Sequence, residues 1–180
     1  MNVGFVGLGI MGRPMSAHLL KGGHALHLHS RSGVPEELTA LGGYACGTGR
    51  EVAERSEVIF TMVPDTADVE KALLAPGGVA EGLTAGKVVV DMSSISPVET
   101  RGFAARVRAL GAEYLDAPVS GGDVGARQAT LTIMAGGSQS TWTTSTSCSS
   151  RLSANPRSPT LTTTSGPHNS SSIDSGILAS

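Results

Sequence analysis

The chain has 180 residues and a formal charge of −2, from 13 Lys plus Arg against 15 Asp plus Glu. No cluster of basic residues occurs, which argues against a nucleic-acid partner, because such proteins neutralise phosphates with grouped Lys and Arg. The two cysteines, Cys46 and Cys148, are too few for the disulfide framework of a small secreted domain. We therefore expect free thiols in a reducing compartment.

The N-terminal residues give no sign of a targeting segment. Met1 and Asn2 lead directly into an apolar stretch that glycines interrupt, and no basic region precedes it. No part of the sequence approaches the roughly 18 uninterrupted apolar residues that a membrane span requires. The histidines show no metal-ligand spacing with carboxylates or thiols. We therefore expect a cytoplasmic protein with no membrane partner and no metal.

The first 137 residues alternate between short apolar stretches and longer helical patterns. Residues 3–6 (VGFV) predict a strand, and residues 10–21 predict a helix that Gly22 and Gly23 close. The alternation then predicts strands at 25–29, 58–63, 87–92, 113–116 and 130–134, and helices at 35–41, 66–74 and 97–110. Such βα units indicate an α/β, Rossmann-type, doubly wound fold with a mainly parallel sheet.

The composition changes after residue 137. Residues 138–180 contain 14 Ser and 8 Thr, and Asp174 is their single acidic residue. Their apolar residues follow neither a 2-residue nor a 3.6-residue period, so we expect a disordered tail. The sequence is therefore divided into a folded domain at 1–137 and a low-complexity segment at 138–180. A natural Ser/Thr-rich linker and an out-of-frame translation product both account for this composition.

A glycine-rich turn joins the first predicted strand to the first predicted helix. The G-x-G-x-x-G pattern of dinucleotide-binding loops is matched by six consecutive residues: Gly7, Leu8, Gly9, Ile10, Met11 and Gly12. The first glycine permits a tight turn, the second lets a pyrophosphate approach, and the third allows close packing of the helix. The alternative is a flexible turn without a ligand. The position between a strand and a helix favours dinucleotide binding.

The second predicted strand ends without an acidic residue. NAD sites usually place Asp or Glu about 20 residues beyond the glycine loop, where it binds the ribose 2′-hydroxyl. This chain has Ser30, Arg31 and Ser32 instead. A guanidinium flanked by hydroxyls suits a 2′-phosphate through charge-assisted hydrogen bonds. We therefore expect NADP in preference to NAD, with Arg31 and Ser32 at the phosphate, and the alternative is that Arg31 is an ordinary solvated loop residue.

Four segments of the chain resemble the β-hydroxyacid dehydrogenases, the family of 3-hydroxyisobutyrate dehydrogenase and tartronate semialdehyde reductase. They are residues 3–15 (VGFVGLGIMGRPM), 61–65 (TMVPD), 91–97 (DMSSISP) and 116–122 (DAPVSGG). All four occur in the order and spacing of the family, so the resemblance extends over about residues 1–137. The resemblance implies a nicotinamide cofactor and a small hydroxyacid substrate.

The resemblance also implies roles for individual residues. Residues beside the cofactor are Met62, Val63 and Pro64, with Ser94 at its nicotinamide end. The residues that bind the substrate carboxylate are Ser120, Gly121 and Gly122. Without the family, the last three are consistent with a plain turn or with a nest, because two glycines let backbone N–H groups converge and a hydroxyl adds a donor.

One residue that the resemblance implies has no counterpart in this chain. In the family, a Lys in a Lys-x-x-Asn setting beyond the nucleotide domain takes or gives the hydroxyl proton. No Lys follows Lys87, and the family pattern stops at residue 137. We hypothesise a frameshift near codon 138 that removes the catalytic helix and the C-terminal helical domain. No catalytic residue is therefore assigned in this chain.

These features predict an NADP-preferring dehydrogenase that interconverts a small 3-hydroxyacid and its semialdehyde by hydride transfer, represented by its cofactor domain alone. One alternative is a non-catalytic NADP-binding module or degraded paralogue. Another is an enzyme like 6-phosphogluconate dehydrogenase. Family members are usually homo-oligomers that associate through the missing domain, so the resemblance implies no oligomeric state for this chain.

Overall fold

The computed structural model describes residues 1–153, which form an α/β domain. Six parallel strands make one sheet in the order β3-β2-β1-β4-β5-β6. Their bounds are β1 (Asn2–Val6), β2 (Ala25–His29), β3 (Tyr44–Ala45), β4 (Val58–Thr61), β5 (Val88–Asp91) and β6 (Glu113–Asp116). This strand order is that of a doubly wound sheet built from two halves. The predicted Rossmann-type fold is confirmed.

Helices cover both faces of the sheet. One face carries α1 (Gly12–Lys21), α2 (Glu36–Ala40), α6 (Gly122–Gln128) and α7 (Gln139–Ser149). The other carries α3 (Gly49–Glu54), α4 (Thr66–Leu74), the 3₁₀ turn Val79–Gly82 and α5 (Pro97–Ala109). No helix within residues 1–153 is long and apolar enough to span a bilayer.

The interior strands β4 and β5 are mainly apolar, because helices cover both of their faces. Successive side chains of a strand point to opposite faces, so Val58 and Phe60 contribute to one core and Ile59 to the other. The same division holds in β5, where Val90 and Val89 lie in different cores. Continuous apolar runs such as residues 58–60 therefore mark buried parallel strands.

The chain leaves the parallel sheet after β6. An antiparallel ribbon follows, made of β7 (Val119–Ser120) and β8 (Thr132–Ile133). The chain then returns to the edge of the sheet, where the Asp116 amide donates to the Gly136 carbonyl at 3.0 Å. The strand predicted at 130–134 is thus present, and it is limited to two residues in the ribbon.

Residues 139–149 are helical where the sequence predicted disorder. Helix α7 begins after Ser138, whose hydroxyl accepts a hydrogen bond from the Thr141 amide at 3.2 Å. Cys148 and Leu152 are buried in the core on the face of the sheet that carries α1, α2 and α6. Much of the buried face of α7 is made of hydroxyl side chains, so hydrophobic periodicity does not reveal it. Residues 154–180 lie outside the described residues, and disorder there stays a prediction.

Candidate cofactor-binding site

A cavity of about 840 Å³ opens at the carboxyl ends of β1, β2, β4 and β5. In a doubly wound sheet this is where neighbouring loops diverge and leave a crevice. The cavity is lined by all twelve residues that the sequence predicts at the cofactor: Gly7, Leu8, Gly9, Ile10, Met11, Gly12, Arg31, Ser32, Met62, Val63, Pro64 and Ser94. Residues from four separate segments of the chain therefore meet at one place.

The three glycines of the loop after β1 have different surroundings. Gly7 has a φ of +101°, a conformation that favours glycine, and a Cβ there would overlap the carbonyl oxygen of Met62. A Cβ on Gly12 would overlap the carbonyl oxygen of Gly7, because α1 begins directly against the end of β1. A Cβ on Gly9 would meet no atom within 4 Å. Packing thus requires Gly7 and Gly12, whereas Gly9 borders open space.

Helix α1 begins at this loop without a side-chain cap. Met11 occupies the N-cap position and makes no capping hydrogen bond through its side chain, and the Arg13 amide donates to the Gly9 carbonyl at 3.1 Å. The N-terminal amides of a helix carry partial positive charge and attract anions. Together with the open space at Gly9, this arrangement fits the pyrophosphate of a dinucleotide.

Charged residues surround the cavity where β2 ends. Nη1 of Arg31 lies 2.9 Å from Oδ1 of Asp68, and Nζ of Lys71 lies 3.9 Å from the same oxygen. The hydroxyl oxygens of Ser30 and Ser32 are 3.3 Å apart. Sequence reasoning missed Asp68 and Lys71, because both belong to α4 and no local pattern relates them to Arg31. Two cations, one carboxylate and two hydroxyls thus border this end of the cavity.

Hydrogen bonds connect the loops that follow β4 and β5. The Val63 amide donates to the Ser93 hydroxyl at 3.1 Å, and the Ser93 amide donates to Oδ1 of Asp91 at 3.1 Å. The Thr61 hydroxyl donates to the same Asp91 oxygen at 2.9 Å. These bonds hold the two loops against each other, so they also hold Ser94 at the cavity.

Asp91 is a fully buried carboxylate at the centre of these bonds. Its Oδ2 accepts a hydrogen bond from the Tyr114 hydroxyl at 2.8 Å. Burial raises the pKa of Asp91, while the hydrogen bonds that it accepts from Ser93, Tyr114 and Thr61 oppose that shift. Burial and the charge of Asp91 raise the pKa of the neighbouring Asp116 to about 6. Two adjacent strand ends, those of β5 and β6, thus carry carboxyl groups whose pKa is raised.

The predicted substrate residues lie outside the cavity lining. Ser120 ends β7, and Gly121 and Gly122 follow with φ values of +131° and +60°. Both φ values favour glycine, and all three residues are exposed. The motif therefore forms a sharp turn into α6 on the exposed side of the ribbon.

Comparison with known proteins identifies similar chains. The protein-family model of the NAD-binding domain of 6-phosphogluconate dehydrogenase matches residues 2–161. The 2-hydroxy-3-oxopropionate reductase of Escherichia coli (strain K12) is 52% identical over 139 residues, which are 77% of this chain and 48% of the relative. The mitochondrial 3-hydroxyisobutyrate dehydrogenase of Drosophila melanogaster is 40% identical over 139 residues, which are 77% of this chain and 42% of the relative. The solved structure of Psf3 in complex with NADP+ and 2-OPP has a TM-score of 0.79 and 29% identity, covering 89% of this chain and 56% of that chain.

The chain spans about half the length of the curated relatives that it matches. The part matched by the family model includes the whole parallel sheet and the cavity. Because one relative is mitochondrial, family membership does not assign a compartment to this chain. The chain belongs to the family of the NAD-binding domain of 6-phosphogluconate dehydrogenase, and it contains the NAD(P)-binding Rossmann domain of the 3-hydroxyisobutyrate dehydrogenase group of oxidoreductases.

Proposed function

We propose that this chain is the NADP(H)-binding part of an oxidoreductase that interconverts a small 3-hydroxyacid and its semialdehyde. The observation that carries the proposal is the cavity, because every residue predicted at the cofactor lines it. The open space beside Gly9 supports it, since a pyrophosphate needs close access to the backbone at that position. The names of two relatives, a 2-hydroxy-3-oxopropionate reductase and a 3-hydroxyisobutyrate dehydrogenase, support the substrate class.

In this proposal, loops at the carboxyl edge of the sheet would hold the cofactor. Amides of the glycine loop and of the first turn of α1 bind the pyrophosphate. Arg31 and Ser32 bind the ribose 2′-phosphate, and residues 62–64 and Ser94 hold the nicotinamide end. A bound nicotinamide supplies or accepts the hydride that is exchanged with the hydroxyl carbon. Asp91 acts indirectly, because it holds the loops that carry Val63 and Ser94.

The substrate carboxylate is assigned to Ser120, Gly121 and Gly122. The two positive φ values support this assignment, because anion-binding nests use such glycine conformations to turn successive amides towards one point. The Ser120 hydroxyl adds a further donor. The three residues are exposed, so they are accessible to a charged substrate.

Proton transfer is the step for which this chain offers no matched residue. Its lysines are Lys21 in α1, Lys71 beside Asp68, and Lys87. The Lys87 ammonium donates to the carbonyl of Ser56 at 2.8 Å and also to the carbonyls of Ala53 and Glu54. We therefore infer that the 180-residue chain binds the cofactor without turning over substrate. That behaviour is the one expected of a non-catalytic NADP-binding module.

The segment after residue 137 has a proposed origin of its own. We infer that residues 138–180 are an out-of-frame reading of the region that carries the catalytic Lys in the family. The support is the abrupt loss of acidic residues and glycines together with the gain of Ser and Thr. Translation of the coding DNA in the other two frames past codon 138 is the test. We expect a Lys-x-x-Asn motif followed by apolar helices in one frame, and the absence of both in each frame contradicts the inference.

Titration of the chain with reduced nucleotides tests the cofactor assignment. We expect NADPH to bind more tightly than NADH when nicotinamide fluorescence is followed. Arg31→Asp is expected to weaken NADPH binding about tenfold or more, because it replaces an attraction to the 2′-phosphate by a repulsion. Arg101→Asp, the same change on the exposed side of α5, is the control. Equal affinities for the two nucleotides, or no effect of Arg31→Asp, contradict the assignment.

A substrate screen tests the reaction class and the absence of turnover. The screen contains 3-hydroxyisobutyrate, glycerate, 4-hydroxybutyrate and 6-phosphogluconate, with the formation of NADPH followed by absorbance. The 180-residue chain is expected to bind cofactor and to give no turnover with any of them. Turnover contradicts the inference from the lysines, and turnover with the phosphorylated sugar acid alone identifies the 6-phosphogluconate dehydrogenase alternative.

A further inference from the structure

Asp68 is a carboxylate at the cavity to which the sequence patterns assign no role. Its Oδ1 lies 2.9 Å from Nη1 of Arg31, so the residue proposed at the ribose phosphate has an anionic partner within the chain. The side chain of Asp68 is 14% exposed, whereas that of Arg31 is 71% exposed. Both residues line the same cavity. A phosphate that binds Arg31 from the cavity therefore comes close to Asp68.

The position of Asp68 is fixed by its helix. The residue lies in the first turn of α4, and its amide donates to the carboxylate of the N-cap residue Asp65 at 2.8 Å. A negative charge in the first turn of a helix is favoured by the helix dipole, and Lys71 lies 3.9 Å away. An ion pair with a largely exposed partner contributes little to stability, so Arg31 is the group that can rearrange. Asp68 is the less exposed and more firmly held partner of the pair.

A nucleotide with a 2′-phosphate experiences two opposite effects at this position. The phosphate carries a charge of about −1.5 to −2, so Arg31 and Lys71 attract it while Asp68 repels it. NADH has a neutral 2′-hydroxyl, which can donate a hydrogen bond to a carboxylate, as it does to the acidic residue of ordinary NAD sites. Asp68, which belongs to α4, thus provides a carboxylate of the kind that is absent from the end of β2.

We propose that Asp68 is a specificity-determining residue that limits the preference of this site for NADPH over NADH. The inference rests on the proposed function, because it requires the ribose to lie at Arg31. Removal of the Asp68 charge leaves two cations and two hydroxyls at the phosphate. NADPH binding then becomes tighter, whereas NADH exchanges a charged hydrogen-bond acceptor for a neutral one and gains nothing.

The test is Asp68→Asn in the complete chain, with Glu70→Gln as a matched control. Glu70 lies on the same helix, is exposed and is outside the cavity lining, so the control removes the same charge away from the ribose. The Kd values of NADPH and NADH are measured at low and at high ionic strength. Asp68→Asn is expected to tighten NADPH binding about three- to tenfold at low ionic strength, and less at high ionic strength because salt screens exposed charges. NADH binding stays unchanged or weakens, and Glu70→Gln changes neither affinity.

The outcomes separate this inference from the proposed function. Unchanged NADPH binding in Asp68→Asn, together with weak NADPH binding in Arg31→Asp, overturns the role of Asp68 and leaves the proposed function standing. Weaker NADPH binding, or an equal change for both nucleotides, also overturns it, because Asp68 is then a positioning or structural residue. If the wild-type chain binds neither nucleotide, both proposals fail. Melting temperatures without nucleotide verify folding, and Asp68→Ser replaces Asp68→Asn if the latter unfolds.

Discussion

Strand β4 and helix α7 are both packed against the interior, but they bury different chemistry. All four residues of β4 are buried, and three of them are the apolar Val58, Ile59 and Phe60. The buried positions of α7 include three hydroxyl residues, Thr141, Ser145 and Ser149. Burial is continuous in β4, whereas in α7 it recurs every four residues, at Thr141, Ser145 and Ser149. The difference shows that a buried element can be recognised from the sequence only where its buried side chains are apolar.

The hydroxyls of α7 are satisfied mainly within their own helix. The Ser145 hydroxyl donates to the Trp142 carbonyl at 3.0 Å, and the Ser149 hydroxyl donates to the Ser145 carbonyl at 3.0 Å. Neither bond connects α7 to the sheet. The Thr141 hydroxyl makes such a connection, because it donates to the Glu113 carboxylate on β6 at 3.3 Å. We therefore expect β4 to determine stability far more than α7 does.

The largest expected effect comes from shortening one buried apolar side chain of β4. Ile59→Ala should lower the free energy of unfolding by about 2–5 kcal/mol, because it leaves a cavity in a fully buried position. Ser145→Ala should change it by less than about 1 kcal/mol, since the helix propensity of Ala offsets the lost hydrogen bond. Urea denaturation of the two variants measures both values. A loss from Ser145→Ala as large as that from Ile59→Ala would contradict the expectation that β4 determines stability more than α7 does.

A buried hydroxyl that bonds across the sheet should behave differently from the hydroxyls of α7. The Tyr114 hydroxyl donates to Asp91 on the adjacent strand, so Tyr114→Phe removes a donor from a buried carboxylate. We expect a loss of about 1–3 kcal/mol in the free energy of unfolding. Tyr44→Phe, at a residue that is 57% exposed, is the matched control and should cost less than about 0.5 kcal/mol. Equal effects of the two variants would show that the Asp91 bond does not stabilise the fold.

The smallest expected effect is on the pH dependence of stability, and it arises from Asp116 at the end of β6. The folded chain raises the pKa of Asp116 to about 6, above its ordinary value of 3.8. A raised carboxyl pKa contributes stability that is fully present below the unfolded pKa and is lost as the pH rises through about 6. Asp116→Asn should therefore flatten the fall in melting temperature between about pH 4 and pH 6, and it should raise the melting temperature at pH 7 by about 1–3 °C. An unchanged pH profile argues against this contribution.

Many of the elements around the cavity could be predicted, because a short stretch of sequence is enough to indicate each of them. The strand predicted at 25–29 coincides with β2, and the helix predicted at 97–110 corresponds to α5, which begins at Pro97. The glycine pattern spans one strand end and one helix start, so six consecutive residues are enough to indicate it. The cavity lining follows from these elements because parallel strands bring their carboxyl ends to one edge of the sheet.

The elements that the sequence analysis missed lacked an apolar pattern or depended on distant residues. Strand β3 consists of two exposed residues, so it has no alternation to detect. Helix α3 had an available signal, because Thr48 and Glu51 form a Thr-x-x-Glu capping pattern in which the Glu51 amide donates to the Thr48 hydroxyl at 3.1 Å. The ion pair of Asp68 with Arg31 had none, since it joins α4 to the end of β2. Only the folded chain brings those two residues together.

We propose that the glycine loop receives the pyrophosphate of the cofactor, and the thermal stability of Gly9→Ala with and without NADPH tests this placement. A Cβ at Gly9 meets no protein atom within 4 Å, so the melting temperature without nucleotide should stay unchanged. Gly102→Ala, at an open position in α5, is the matched control. We predict that NADPH raises the melting temperature of the wild-type chain and of Gly102→Ala, and that Gly9→Ala loses most of this increase. An undiminished increase in Gly9→Ala would contradict the placement of the pyrophosphate at this loop, because NADPH would then bind away from it.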